Sequence, residues 1–275
     1  KIGILKYLLL FIYYLLKIFT VMRDGHIHIA NQPYTVELIQ NMVDVAISKG
    51  IDELYILDHT HKFSEFSFLY ENLKEPETIK WYKKKTPISI FEYISFINEV
   101  KKIEWPVKLK FGLEVCYFPE FEEKLRNTLN NLPKFDFLIG SIHFIYGAGI
   151  DLNKDYILSL NIEKIYEDYF DLEKKMVASH LFDVIGHPDL IRMHNVFPNK
   201  AKYLELYEDF AKFLKENNQT VENNSGLIRY GYPYPGLSPE MLNLLLKYNV
   251  KFHKSSDAHI YQDIGRVFDQ IIENI

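Results

Sequence analysis

Cysteine is almost absent: Cys116 stands alone among 275 residues. No intrachain disulfide can form, and no cysteine-based zinc knuckle can be built. Basic charge is not in excess either. Lys and Arg total 32 against 37 Asp and Glu, a formal net charge of −5, which argues against nucleic-acid binding as the main function. No G-x-G-x-x-G follows the first strand-like run, so a dinucleotide fingerprint is missing. Internal repeats and low-complexity linkers are missing as well. Against these absences, 48% of the residues are hydrophobic and Tyr and Phe number 20 each. That is core material for one large domain or two small ones.

Long apolar runs are confined to the amino-terminal end, "KIGILKYLLLFIYYLLKIFT". A spanning helix needs about 20 apolar residues, and Lys6 and Lys17 flank a shorter apolar stretch whose ends they could snorkel from. No small-residue cleavage site follows, and positive charge on both flanks gives no orientation. Residues 1–21 therefore read either as a membrane anchor or as an extension outside the functional domain, which runs over 22–275. The expected location is cytoplasmic, with membrane contact only through that segment.

Beyond Met22, short apolar runs alternate with longer amphipathic ones. Strands are expected over 24–29, 53–58, 107–115, 135–144, 182–187, 219–224 and 250–257. Helices are expected near 35–49, 88–102, 119–131, 159–179, 200–217, 238–248 and 262–274. Thr35 ahead of the first helix, Gly50 behind it and Ser238-Pro239 ahead of the sixth are start and stop signals. Seven strand–helix units in alternation imply a parallel α/β sheet, and their number and spacing suit a closed barrel. Residues 61–87 fit no barrel unit and read as an insertion, a lid with some helix. Its "KWYKKK" reads as a solvated charged run.

The polar residues then fall in a pattern. In "DGHIHI", His26 and His28 share one strand face because alternate side chains point the same way. The second strand ends in Asp58-His59 and the third carries Glu114. The fourth ends near His143, the fifth at His187, and the seventh leads into Asp257-Ala258-His259. Barrel enzymes gather their working residues at the carboxyl ends of the strands, so this convergence of imidazoles and carboxylates predicts a metal site. The donors exceed the four ligands of one tetrahedral zinc, and a mixed imidazole–carboxylate set suits Zn, Mn or Fe. Only His180, His194 and His253 fall elsewhere, with His61 just past the second strand.

Taken in order, "DGHIHI", "LDHTH", "GLEVCYFPE", "GSIHF", "DVIGHPDLIR" and "SDAH" resemble the motifs of the polymerase and histidinol phosphatase (PHP) metallohydrolases, and more specifically the histidinol-phosphatase branch. The resemblance implies a distorted seven-stranded (β/α)7 TIM-like barrel holding two or three divalent ions, zinc foremost. By this likeness His26, His28, Glu114 and Asp257 hold one ion, Glu114 bridges to a second on His143 and His187, and His59 with His259 take a third. One departure stands out: Tyr34 occupies the place of a further family histidine. Either Asn31, Gln32 or water fills that gap, or Tyr34 only packs there and the site is binuclear. The implied reaction is hydrolysis of L-histidinol phosphate, a step of histidine biosynthesis, with a metal-activated water as nucleophile. Other phosphate esters, such as a nucleotide or a phosphotyrosine, and a metal-binding protein without turnover are the alternatives. Asp257 and His61 are expected to handle protons. Arg192 and Arg229, with Arg266 behind them, are expected at the phosphate beside His61, Asn224 and Ser225, and Glu222 at the substrate amine or in a loop. Cys116 is expected as a small buried residue, and Asp58 as an orienting partner of His59.

Overall fold

A computed structural model describes residues 21–275, so the expectations for residues 1–20 lie outside the described part of the chain. In chain order the elements are β1 (Arg23–His28), α1 (Val36–Lys49), β2 (Glu53–His59), α2 (Pro76–Lys83), α3 (Ile90–Val100) and β3 (Lys108–Cys116). They continue with α4 (Glu122–Asn130), β4 (Phe137–Ser141), β5 (Phe144–Ile145), β6 (Ala148–Gly149), α5 (Lys154–Ser159) and α6 (Ile162–Ala178). The last are β7 (Val184–Ile185), α7 (Lys200–Glu216), β8 (Thr220–Asn224), α8 (Pro239–Lys247) and β9 (Phe252–Ser255).

Seven strands form one parallel sheet in the order β1-β2-β3-β4-β7-β8-β9. The sheet closes on itself where the His28 N–H donates to the Ala258 carbonyl at 2.7 Å, beside a parallel bridge from Ile27 to Ala258. The architecture is the distorted TIM-like barrel anticipated above. Helix α1 shows why the alternation works. Thr35 caps its start by accepting from Leu38 N, and Gly50, at φ 67°, ends it in the left-handed region that glycine adopts without strain. Leu38, Ile39, Met42, Val43 and Ala46 then form one buried stripe, and each large apolar side chain among them contributes about 1.5–3 kcal/mol by leaving water.

Strand alternation sorts the residues between two cores. Ile27, Leu54, Ile56, Phe111, Leu113, Val115, Val221 and Phe252 face the helices in the main core. Tyr55, Leu57, Phe137, Ile139 and Val184 form a separate apolar plug in the barrel interior. In the same inward register β1 carries His26 and His28, β3 carries Glu114, and β8 carries Glu222 and Asn224. The interior is thus apolar at one end and polar at the carboxyl end.

Two expected elements differ. The strand expected over 135–144 stops at Ser141, and the chain turns into the β5–β6 hairpin, with Tyr146 and Gly147 both at positive φ (55° and 78°) in its turn. No α-helix forms over 262–274, where only a 3-10 turn at Tyr261–Asp263 enters the range. Gly265 and Val267 sit at φ 65° and 53°, which breaks helical continuity. Asn274 pairs antiparallel with Phe252 through bonds of 2.8 and 2.9 Å. That pairing covers the edge at the start of β9, which β1 leaves open because its backbone ladder to this last segment is made only at Ala258. Among the described residues, no helix is long and apolar enough to cross a membrane.

Candidate metal centre

Glu114 is the hub. It lies opposite His59 in the β2–β3 register, and its two oxygens address different neighbours. Oε1 accepts from Ser141 Oγ at 2.7 Å and lies 2.9 Å from His187 Nε2 and 3.2 Å from His143 Nε2. Oε2 lies 2.8 Å from His59 Nδ1 and 3.4 Å from Nε2 of both His26 and His28. Asp257 Oδ1 stands 3.3 Å from His28 Nε2 and 3.5 Å from His259 Nδ1. All eight metal-binding candidates from the sequence therefore converge on one end of the barrel.

Protein hydrogen bonds alone do not satisfy this cluster. His26 and His28 turn Nε2 toward each other at 2.9 Å, and His143 and His187 do so at 3.2 Å. His59 Nδ1 and Glu114 Oε2 are 2.8 Å apart yet misaligned, so both buried atoms remain without a hydrogen-bond partner. Such orphans are costly. Their lone pairs converge as a cation's ligands do, and triads such as His26–His28–Glu114, His59–Glu114–His143 and His28–His59–His259 fall within ligating range. Nitrogen and carboxylate donors in this proportion fit divalent zinc-like ions.

The charge balance is divided: burial opposes protonation of His26 and His143, yet Glu222 and Glu114 raise the first and Glu114 and Cys116 the second well above the usual imidazole range. Burial alone would raise the Glu114 carboxyl, but His143, His59 and His26 hold it well below the usual carboxylate range. Burial would likewise raise Asp257, yet Arg229 and the bond to His28 hold it well below. Burial, then repulsion from His59 and His259, pushes His28 well below the usual imidazole range, and a neutral imidazole is the ligating form. His187 at φ 27° and Asp257 at φ 53° sit in the left-handed region, strain typical of working residues.

Outer partners orient the donors. Glu222, fully buried, binds His26 Nδ1 at 2.8 Å and also accepts from Ser255 Oγ, Asn224 Nδ2 and the His187 N–H. A carboxylate on the far ring nitrogen fixes the tautomer of a ligating histidine. Glu222 thus lies behind the cluster and does not reach a substrate amine. Cys116 is buried as expected, and its Sγ lies 3.2 Å from His143 Nδ1. Asp58 turns away from His59 and accepts from the Tyr34 hydroxyl at 3.0 Å and from Lys62 Nζ at 2.5 Å. Tyr34 itself stacks on Phe96 and sits under the Lys62 ammonium. Its place is filled by packing, not by a metal donor.

A cavity opens over the cluster, lined by His59, His61, Glu114, His143, His187, Asn224, Arg229, Asp257 and His259 together with Trp81, Phe144, Asp151, Leu190 and Tyr230. His61 stacks on His59 and meets Trp81 edge-on, so the 61–87 insertion supplies a wall. Within its basic run Lys80, Lys83 and Lys84 are exposed, while Lys85 lies over the Trp81 ring at 4.6 Å. Arg229 faces the cavity, with Nη1 donating to the Asp257 carbonyl at 2.7 Å and Nη2 lying 3.3 Å from its carboxylate. Arg192 does not reach it. Its side chain is buried, ion-paired to Asp189 at 2.6 Å, donates to the Gly236 carbonyl and lies over the Tyr232 ring. Ser225 is buried and bonds the Arg266 carbonyl, so neither it nor Arg266 lines the cavity. A larger cavity, about 490 Å³, lies on the far side of Phe144, but no metal-ligating group of three converges there among the described residues.

Sequence reasoning missed Ser141, Gly226 and Asp151. Ser141 precedes His143 by two, so the strand alternation that places one could have placed the other. Gly226 allows close approach, since a Cβ there would lie 2.4 Å from Asp257 Oδ2. Two of the stray histidines are structural, and His180 is exposed away from the cavity. His194 Nε2 donates to the Ile150 carbonyl, and His253 is buried in the barrel, its ring edge-on to Tyr55 and against Gly25.

Known proteins are similar to this chain in sequence and fold. The chain is 26% identical over 272 residues to the histidinol-phosphatase of Bacillus subtilis, covering 91% of this chain and 98% of that one. It is 22% identical over 244 residues to a probable histidinol-phosphatase of Schizosaccharomyces pombe, covering 82% and 76%. Among solved structures it superposes on a putative histidinol phosphatase from Listeria monocytogenes with a TM-score of 0.76 at 24% identity, covering 91% and 100%. It also superposes on the Lactococcus lactis histidinol phosphate phosphatase, solved with zinc, L-histidinol and phosphate, with a TM-score of 0.65 at 19% identity, covering 91% and 92%. The PHP-domain profile matches residues 24–226, most of the described chain, and with the barrel and its ring of donors in place this chain belongs to the PHP family.

Proposed function

We propose that this protein is a metal-dependent phosphatase that hydrolyses L-histidinol phosphate to L-histidinol and phosphate. The observation that carries the reading is the Glu114-centred donor cluster with Arg229 facing the same cavity. It is supported by relatives named histidinol-phosphatase that match nearly end to end, and by a neighbour holding zinc, histidinol and phosphate.

His26, His28, Glu114 and Asp257 would hold one divalent ion, and Glu114, His143 and His187 a second. His59 and His259 would serve a third, with His28 committed to the first. When bound, zinc-like ions supply Lewis-acid stabilisation of the phosphoryl charge and acidify water toward neutral pKa. The rest falls to the chain. Arg229 offers a guanidinium fork to a phosphate oxygen, with Asn224 beside it. Asp257, kept anionic by Arg229, takes the proton that an attacking water gives up as its oxygen bonds to phosphorus. The P–O ester bond breaks in line and the leaving alkoxide takes up the proton that Asp257 received. His61 lines that path; burial, then His59 and Lys85, hold it neutral, ready to relay a proton once phosphate charge arrives.

The test compares kcat/KM for L-histidinol phosphate with that for a simple aryl phosphate. A preference above about tenfold, 1.4 kcal/mol in transition-state binding, is expected. A smaller preference would leave a phosphatase but overturn the named substrate.

A further inference from the structure

Histidinol phosphate carries an ammonium as well as a phosphate, and a site that selects it needs an anion in reach of that charge. Three carboxylates line the cavity: Glu114, Asp257 and Asp151. The first two are engaged in the donor cluster, with Arg229 on Asp257. Glu222 is closed off behind His26. Asp151 alone is exposed to solvent and joins no ion pair or side-chain hydrogen bond among the described residues.

Its position is also built. Asp151 follows Ile150, whose N–H donates to the His143 carbonyl at 2.9 Å and whose own carbonyl accepts from His194 Nε2 at 2.7 Å. The backbone just ahead of Asp151 is thereby tied to a cluster histidine on one side and to the loop after His187 on the other. Its cavity neighbours Trp81, Phe144 and Leu152 are apolar, a wall suited to a flat ring, and water is scarcer beside them than at an open surface. A charge pair formed there is screened less than one in bulk water.

Building on the histidinol-phosphate reading, we propose that Asp151 is a specificity-determining residue that binds the substrate's primary ammonium while its phosphate lies over the donor cluster. An amine-free ester would leave Asp151 without its partner, the kind of mismatch through which a polar site discriminates.

The experiment is a two-by-two comparison with zinc-loaded full-length protein. Wild type and Asp151→Asn are each assayed with L-histidinol phosphate and with its counterpart lacking the amine, 3-(imidazol-4-yl)propyl phosphate. The wild type is expected to favour the amine-bearing ester, and Asp151→Asn to reduce that preference tenfold or more, chiefly through KM, with Asp151→Glu restoring part of it. An equal effect of the substitution on both esters, or none on either, overturns the inference, as does a wild type indifferent to the amine. Failure of the underlying reading shows separately, as loss of preference over the aryl phosphate in the wild type.

Discussion

At Glu114 the two oxygens of one side chain face two different sets of imidazoles, His143 and His187 on one and His26, His28 and His59 on the other, so a change that keeps the shape but removes the charge tests the site cleanly. Glu114→Gln is nearly isosteric, yet its amide nitrogen would face histidine nitrogens that need an anion or a metal between them. Loss of metal-assisted transition-state stabilisation is worth several kcal/mol, so kcat should fall at least about a thousandfold at roughly 1.4 kcal/mol per decade. Elemental analysis of the same sample should show fewer ions per chain. Near wild-type turnover with full metal content would remove Glu114 from its central role. Residue identity was easy to read from sequence here because His, Glu and Asp at strand ends are few and chemically distinctive. Direction was harder. Arg192 and Arg229 each follow a strand end by a short loop, yet Asp189 and Tyr232 hold Arg192 in the protein interior, and nothing local in the sequence marks that difference.

The element that most directly shapes the cavity is α2, which carries Trp81. Glu75 caps it, accepting from Glu77 N at 3.1 Å, from Thr78 N at 2.7 Å and from Thr78 Oγ1 at 2.8 Å, and it also holds Asn153. Thr78 in turn accepts from Gly149 N, and Gly147 O accepts from the N–H groups of Lys74 and Glu75, so the β5–β6 hairpin and α2 stand together. Replacing Glu75 with Ala should cost about 1 kcal/mol, the usual value of an N-cap. Burial opposes ionisation of Glu75, but these hydrogen bonds outweigh it and hold the carboxyl down at about 2 against an ordinary 4.5. A depressed folded-state value means stabilisation that is complete above about pH 4.5 and fades as pH falls toward 2. The stability gap between wild type and Glu75→Ala, measured by denaturant titration, should therefore narrow across that window. A gap that stayed constant down to pH 2 would show that the carboxylate charge is not what caps the helix.

For the whole molecule, the donor set joins strands far apart in the chain: β1, β2, β3 and the loops after β4, β7 and β9. Bound ions would act as a clasp across the closure between His28 and Ala258. A ligand present at about a thousand times its dissociation constant adds roughly 4 kcal/mol, and in a domain of this size each kcal/mol moves Tm by about 2–4 °C. Chelation should thus lower Tm by at least about 8 °C in calorimetry, with zinc restoring it. An unchanged Tm after complete metal removal would mean that the barrel closes without help from the cluster.

Local information carried the order of strands and helices, because period-two and helical periodicities, Thr35, Gly50 and Ser238 act within a few residues of themselves. It also determined which donors exist and, through alternation, that His26 and His28 share a face. Tertiary structure decided the rest. The carboxyl-terminal segment is amphipathic enough for a helix, but the open edge at the start of β9 offers Asn274 backbone partners that an isolated helix cannot match. Glu222 and Asp151 are both acidic residues near strand ends or loops at the same mouth, yet one lies sealed beneath His26 and the other faces the cavity. Burial of a carboxylate depends on how closed the barrel is above it, and that is set by contacts between residues a hundred or more positions apart.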